Sequence, residues 1–386
     1  MLNYYIGIIS KSSYQTTTLN KAFISINSTY FSVLTQPSMA SSNPSNENEV
    51  VIDISPIIKV YKDGKVERLM GDPQVSPSPE DPKTGVCSKD VSILENKISA
   101  RFFIPKIKDD QKLPILIYFH GGGFCFQSAF SGSHHRFLNS LVKESNALAV
   151  SVEYRLAPES PLPIAYEDCW TALKWVLSHF DDEAKDIEKD PWLTKHGDFG
   201  RVFLGGDSAG GNIVHNMVMK FGTEKYDGGV EGRTQDSNMG YSVPRGVEIV
   251  GAILGFPYFW GSNPSGSMTI QENEESLPYR VWELVYPSAP GGIDNPMLNP
   301  FVDNAPSLAN LGCSKVLVYT AEKDLLRDKA IEYVEALKNS GWKGEVEYIE
   351  VEGEDHCFQI DFPDENLEKT NGLIKQMGDF IMLKNV

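Results

Sequence analysis

Gly206-Asp207-Ser208-Ala209-Gly210 sets a serine between two glycines, the spacing of a sharp strand-to-helix turn that lifts a hydroxyl clear of its backbone. Side chains at the flanking positions would collide with the neighbouring strand or helix. The pattern alone arises by chance about once in five chains of this composition, and a plain glycine turn would read the same. Its context says more: residues 201–204 read as a strand directly before it and residues 212–219 as a helix directly after. The chemistry on offer is nucleophilic attack by Ser208, which needs a base to take the hydroxyl proton and an acid to fix that base's tautomer.

His120-Gly121-Gly122-Gly123 follows the apolar run 115–119. Consecutive glycines let a backbone approach a reacting group and point N–H donors at a developing oxyanion. A histidine followed by three glycines is expected by chance in well under about one such chain in a hundred, so this signal is sharper than the serine motif. Gly121, Gly122 and Gly123, completed by the N–H of Ala209, are the expected donors. A phosphate cradle is the competing use, but no Lys-Ser/Thr follows and the spacing is not GxGxxG. Of seven histidines only His356 follows a late strand near the C-terminus, and the expected chain order is serine, acid, histidine. Asp324, just past the apolar run 316–320, is the expected acid. Asp328 is its rival but suits the cap of the helix that begins there, and Asp355 points elsewhere. His134, His135, His179, His196 and His215 read as solvated or packed.

These residues need elements to carry them. Apolar runs at 115–119, 148–152, 202–206, 250–254, 316–320 and 346–351 show little polar alternation, as strands buried on both faces do. Helical patterns lie between them at Ile164–Leu177, 209–220, 328–339 and from 366 towards 382. Strand and helix alternating in this way predict an α/β fold with a mostly parallel central sheet and helices on both faces. One such domain accounts for residues 51–386. Runs at 57–61, 66–69 and 92–104 suggest antiparallel strands or extended cover, and 221–245 and 257–305 read as irregular. The second is long enough to form a cap.

A formal charge of −17 opposes attraction to nucleic acid or an anionic membrane. No apolar run nears the roughly 18 residues of a membrane span. Five cysteines without a CxxC pair give neither zinc nor redox spacing, and suit a reducing, cytoplasmic compartment. No metal and no cofactor is expected. The expected partner is a small molecule, with the chain a monomer or homodimer.

The HGGGF loop at 120–124, Glu153-Tyr154-Arg155-Leu156-Ala157-Pro158-Glu159, the GDSAGGN run at 206–212, and Asp324 with Asp328 resemble the hormone-sensitive-lipase-like branch of α/β hydrolases. Ala165-Tyr166-Glu167-Asp168-Cys169-Trp170, Asp190-Pro191-Trp192 and Ser340-Gly341-Trp342-Lys343-Gly344-Glu345 are similar to plant carboxylesterases. The resemblance runs from about residue 52 to the C-terminus. It implies an acyl-serine carboxylesterase on small uncharged esters, in a family that also holds dehydratases, alkaloid cyclases and hormone receptors with altered triads. Ser208, Asp324 and His356 all stand here, which favours hydrolysis; a methyl ester of a plant alkaloid is one candidate substrate. The resemblance further implies a cap built from the N-terminal segment and 257–305, over a pocket walled by Phe124, Phe126, Ile213, Tyr258, Trp260, Trp282, Leu325 and Phe358.

Residues 1–38 have no counterpart in that pattern. The first 46 residues lack Asp and Glu, and up to Met39 the only basic residues are Lys11 and Lys21. An upstream extension fits better than a plastid transit segment, which is usually rich in arginine. With so few periodic apolar positions, the stretch has little to offset its ordering entropy. A chain beginning at Met39 should therefore keep full activity and melt at nearly the same temperature. Lost activity, or a fall of many degrees in melting temperature, would show that the segment docks as part of the cap.

Overall fold

Strand and helix alternate from Leu113 onward, and each of the six apolar runs forms one strand of a single sheet. A computed structural model describes residues 49–383 except 95–96, 109, 181–188, 227–242, 245 and 362–366. Residues 50–60 and 64–386 form one compact unit. The expectations for the N-terminal segment lie outside the described residues.

In chain order the elements are β1 (Val50–Ile54), β2 (Ile58–Tyr61), β3 (Val66–Arg68), β4 (Cys87–Leu94), β5 (Ile98–Ile104), β6 (Leu113–Phe119), α1 (Gly132–Ser145), β7 (Leu148–Glu153), α2 (Ile164–Leu177), α3 (Pro191–His196) and β8 (Gly197–Asp207). There follow α4 (Ala209–Tyr226), β9 (Ile249–Gly255), α5 (Ile270–Glu275), α6 (Leu277–Val285), β10 (Cys313–Ala321), α7 (Arg327–Asn339), β11 (Glu345–Val351), α8 (Phe358–Asp361) and α9 (Leu367–Ile381). β1, β2 and β3 form a small separate sheet. The main sheet runs β11-β10-β9-β8-β6-β7-β5-β4, parallel from β11 to β7 and antiparallel at β7–β5 and β5–β4.

Side chains alternate across this sheet with period two. Ile115, Ile117, Phe119, Leu204 and Val318 join one buried cluster, while Leu116, Tyr118, Phe203, Leu317 and Tyr319 join another on the opposite face. The double burial explains why these strands read as continuous apolar runs. The irregular stretches and the hairpin region take definite form. The run 92–104 holds the end of β4 and all of β5, paired antiparallel as expected, with β4 beginning earlier, at Cys87. Residues 221–226 continue α4, and the remainder of the expected loop falls largely outside the described residues. Residues 257–305 hold two helices; α5 starts with a reciprocal capping box between Thr269 and Glu272. α1 escapes the periodicity because its buried side includes Ser133, His134, His135 and Asn139.

His215, on α4, is fully buried with its ring edge-on to Phe259 and Tyr333 and its Nδ1 3.1 Å from the Tyr333 hydroxyl. Burial lowers its pKa to about 3. Between that value and the ordinary 6.5, the unfolded chain binds a proton that the folded chain refuses. Stability therefore falls as pH drops through this window, by up to about 1.4 kcal/mol per pH unit from this ring. Urea denaturation of His215→Gln between pH 6.5 and 4.5 should show a shallower decline than the unsubstituted protein; equal slopes would mean that the ring is not buried neutral.

Candidate active site

β8 ends at Asp207 and α4 begins at Ala209, leaving Ser208 alone in the turn with φ of 54°. A non-glycine residue there costs on the order of 1–2 kcal/mol. Three backbone hydrogen bonds hold it: Ser208 N–H donates to the Gly255 carbonyl at 2.8 Å, and the Ser208 carbonyl accepts from Tyr258 N–H at 3.0 Å and Asn212 N–H at 3.1 Å. The flanking glycines are sterically required. A Cβ at Gly210 would lie 2.0 Å from the Phe119 carbonyl oxygen, and one at Gly206 2.5 Å from Gly210 backbone.

His356 reaches Ser208 from the loop after β11. Its Nε2 lies 2.9 Å from Ser208 Oγ, and its Nδ1 lies 2.9 Å from Asp324 Oδ2. The Asp324 side chain is buried, and its other oxygen accepts Leu326 N–H at 2.9 Å. The carboxylate is thus fixed on both oxygens, and Nδ1 carries the proton facing it, leaving Nε2 as acceptor for the hydroxyl. Asp328 stands in the first turn of α7 rather than at its cap, which is Leu326, and pairs with Arg327. Asp355 accepts its neighbour's backbone N–H instead of touching the imidazole.

The glycine loop sits against the same turn. Gly122 and Gly123 have φ of 99° and 55°, and a Cβ at Gly122 would meet the Phe126 carbonyl oxygen at 2.1 Å. Residues 153–159 brace the loop from behind. Tyr154 donates its hydroxyl to the His120 carbonyl at 2.7 Å and stacks on the His120 ring; Ala157 N–H donates to the Phe124 carbonyl; Glu153 accepts from Ser128 and Ala129. Arg155 clamps Asp168 through two guanidinium nitrogens, and Arg68 bridges the Cys125 carbonyl and Glu159. Sequence reasoning noted the stretch 153–159 only as resemblance and missed Arg68 altogether.

Asp207 was also missed as a functional element. Its Oδ1 accepts the Tyr118 hydroxyl at 2.7 Å and faces His134 Nε2 at 3.4 Å, while the Cys357 thiol lies 3.8 Å from Oδ2. A Cβ on Gly121 would be 2.3 Å from Oδ2. Burial by itself would raise the Asp207 pKa, but His134, Tyr118 and His120 outweigh it and hold the group below the ordinary aspartate value. One buried anion therefore touches the serine turn, the glycine loop and the residue after His356. His120 is fully buried, and desolvation lowers its pKa to about 3, so it is neutral. Cys125 is no reactive thiol, since burial pushes its pKa up to about 12.

The expected wall residues divide. Phe124, Ile213, Tyr258, Trp260 and Trp282 are buried together on one face of the sheet, with the Phe124 ring against Tyr258 and Trp282. Phe126 is half-buried against them, and Leu325 is exposed beside Asp324. Phe358 lies in the opposite cluster, where it packs on Phe256, whose ring in turn meets the His356 imidazole edge-on. It thus stands behind the Phe256 ring, in a different cluster from the other expected wall residues.

The alpha/beta hydrolase fold family matches residues 116–360. The chain belongs to this family, and within it to the carboxylesterase-like plant branch. It is 49% identical over 345 residues to a 2-hydroxyisoflavanone dehydratase of Glycyrrhiza echinata, covering 89% of this chain and 99% of that one. It is 46% identical over 325 residues to catharanthine synthase of Catharanthus roseus, covering 82% and 92%, and 41% identical over 337 residues to probable carboxylesterase 7 of Arabidopsis thaliana, covering 87% and 99%. Among solved structures, an esterase of Pyrobaculum calidifontis superposes with a TM-score of 0.56 at 28% identity, covering 77% of this chain and 84% of that one. Among the described residues no helix is long and apolar enough to cross a membrane.

The tight contact of α4 with β6 makes a steep prediction. Gly210→Ala should destabilise the fold by about 2–4 kcal/mol through overpacking of backbone against backbone, read as a lower urea midpoint. An unchanged midpoint would mean that α4 can retreat from Phe119 without cost.

Proposed function

We propose that the protein is a serine carboxylesterase that cleaves small, uncharged carboxylic esters through an acyl-serine intermediate. The observation that carries this reading is the unbroken relay from Ser208 Oγ through His356 to Asp324, each link 2.9 Å. In the first step Ser208 Oγ attacks the ester carbonyl carbon while His356 Nε2 takes the hydroxyl proton. The carbonyl oxygen becomes an oxyanion, for which the Gly121, Gly122, Gly123 and Ala209 N–H groups are the donors; Ala209 opens α4, so its N–H has no partner inside the helix. The C–O bond then breaks, and His356 returns the proton to the leaving alkoxide. Water repeats the sequence on the acyl-enzyme, releasing the acid and restoring Ser208. Asp324 faces the imidazolium and balances its charge.

A second reading rests on the relatives whose names specify a dehydratase and an alkaloid synthase. In a lyase the same histidine would move a proton on a bound plant metabolite without an acyl-enzyme. A small-molecule receptor is a weaker alternative, because all three relay residues are in contact. The alkaloid methyl ester is the narrower form of the esterase reading.

Ser208→Ala should lower hydrolysis of p-nitrophenyl esters by at least about 10³-fold while the protein still folds. A fluorophosphonate should label Ser208, and hydrolysis in ¹⁸O-water should place the label in the acid product. Wild-type turnover by Ser208→Ala, or a converted substrate without ¹⁸O, would rule the esterase out. The second result with conversion intact would favour the lyase.

A further inference from the structure

We propose that Lys369 and Glu354 form a clamp that positions His356, making both of them positioning residues for the relay. The inference rests on the serine hydrolase reading for its effect on rate, though not for the clamp itself. Its starting point is an asymmetry in support. Ser208 sits at the end of β8, an inner strand paired on both sides, whereas His356 follows β11, the strand at the sheet edge, which pairs only with β10. β11 is nowhere fully buried. The base therefore hangs from the least braced strand of the sheet, yet it must be held to within about 0.5 Å of its productive place.

Two elements hold that loop by a dense set of bonds. From the acid loop, Glu322 N–H donates to the Val351 carbonyl at 3.1 Å and Lys323 N–H to the Glu354 carbonyl at 3.0 Å. The Glu322 carboxylate accepts Gly353 N–H at 2.7 Å, and Lys323 Nζ donates to the Gly353 carbonyl at 2.8 Å. These bonds tie the base's loop to residues immediately before Asp324. From the other side, Lys369 on α9 donates from Nζ to the Glu352 carbonyl and to Glu354 Oε1, both at 2.7 Å. Gly353, with φ of 75°, lets that ammonium come close, since a Cβ there would sit 3.2 Å from Nζ.

Two features mark the Lys369 contact as more than a surface pair. Lys369 lies in the first turn of α9, where the helix dipole disfavours a cation. The Glu354 side chain is only 7% exposed, and a buried carboxylate without its counter-charge is costly. Remove the ammonium, and the cheapest response is for Glu354 to swing out to water. Glu354 is two residues from His356, so its exit drags the imidazole from Ser208. Lys369 itself is 47% exposed, so the pair contributes little to global stability. The clamp thus predicts a loss of rate without a matching loss of fold.

Lys369→Met should reduce kcat on p-nitrophenyl acetate by about 10- to 100-fold, the cost of misplacing a reacting group by an ångström or so, with KM within about twofold and a nearly unchanged melting temperature. Lys369→Arg should restore most of the rate. The double variant Lys369→Met/Glu354→Gln, which leaves no buried charge to escape, should be faster than Lys369→Met alone. Independently of any substrate, amide hydrogen exchange at Gly353 and His356 should quicken in Lys369→Met. A kcat within twofold of the unsubstituted enzyme, a double variant slower than the single one, or unchanged exchange at these amides would overturn the clamp. If the unsubstituted protein neither hydrolyses esters nor takes a fluorophosphonate, it is the esterase reading that fails, and the exchange comparison still decides the clamp.

Discussion

The close approach of α4 to the carboxyl ends of β6 and β8 is the constraint on which the site depends. With Gly210 pressed against the Phe119 carbonyl and Gly206 against Gly210, the chain can pass from strand to helix only by placing Ser208 in the left-handed region. That strained conformation raises the hydroxyl above the sheet and brings the start of α4, with its unpartnered N–H groups, beside the glycine loop. The cost is spread over the surroundings. Among the described residues, Phe124, Gln127, Ser208, Phe256 and Cys357 all have positive φ, and all lie in or beside segments that meet at the relay. Strain gathered at one end of a sheet is what a rigid, preorganised site requires.

Beneath that turn, polar groups are buried in a way that a purely structural core would avoid. Asp207, Tyr118, His134 and His120 form a contiguous set under the serine and the glycine loop, and Tyr154 closes it by bonding to the His120 carbonyl. The bonds of Tyr118 and His134 to Asp207 favour one arrangement of the segments they join. The anion at Asp207 and the neutral ring at His120 are outcomes of the same burial, which penalises charge on the histidine while nearby donors keep the carboxylate ionised.

The relatives show that this framework serves more than one reaction, since proteins named dehydratase, synthase and carboxylesterase share 41–49% identity with the chain. Beside the glycine loop, the Phe124 ring packs on Trp282 of α6, in the 257–305 stretch.

The parallel sheet was legible in the sequence because strands buried on both faces leave continuous apolar runs. Ser208, His356, Asp324 and the glycine loop were legible because sharp turns demand glycine and because the acid and the base each come after a strand. Short or polar-faced elements were not. α1 hides behind His134, His135 and Asn139, and the two histidines meet their partners, Asp207 and Arg101, only across the fold. Phe358 reads as a pocket aromatic, yet it packs in the cluster on the opposite face of the sheet. Asp207, Arg68, Glu354 and Lys369 carried no signal, since a charged residue reads as solvated until the fold brings its partner to it. The sequence by itself thus determined the features that local backbone geometry and period dictate: the strands, the serine turn and the order of the relay. Only the tertiary structure decided which polar side chains are buried and which loop each one restrains, because both depend on contacts between residues far apart in the chain.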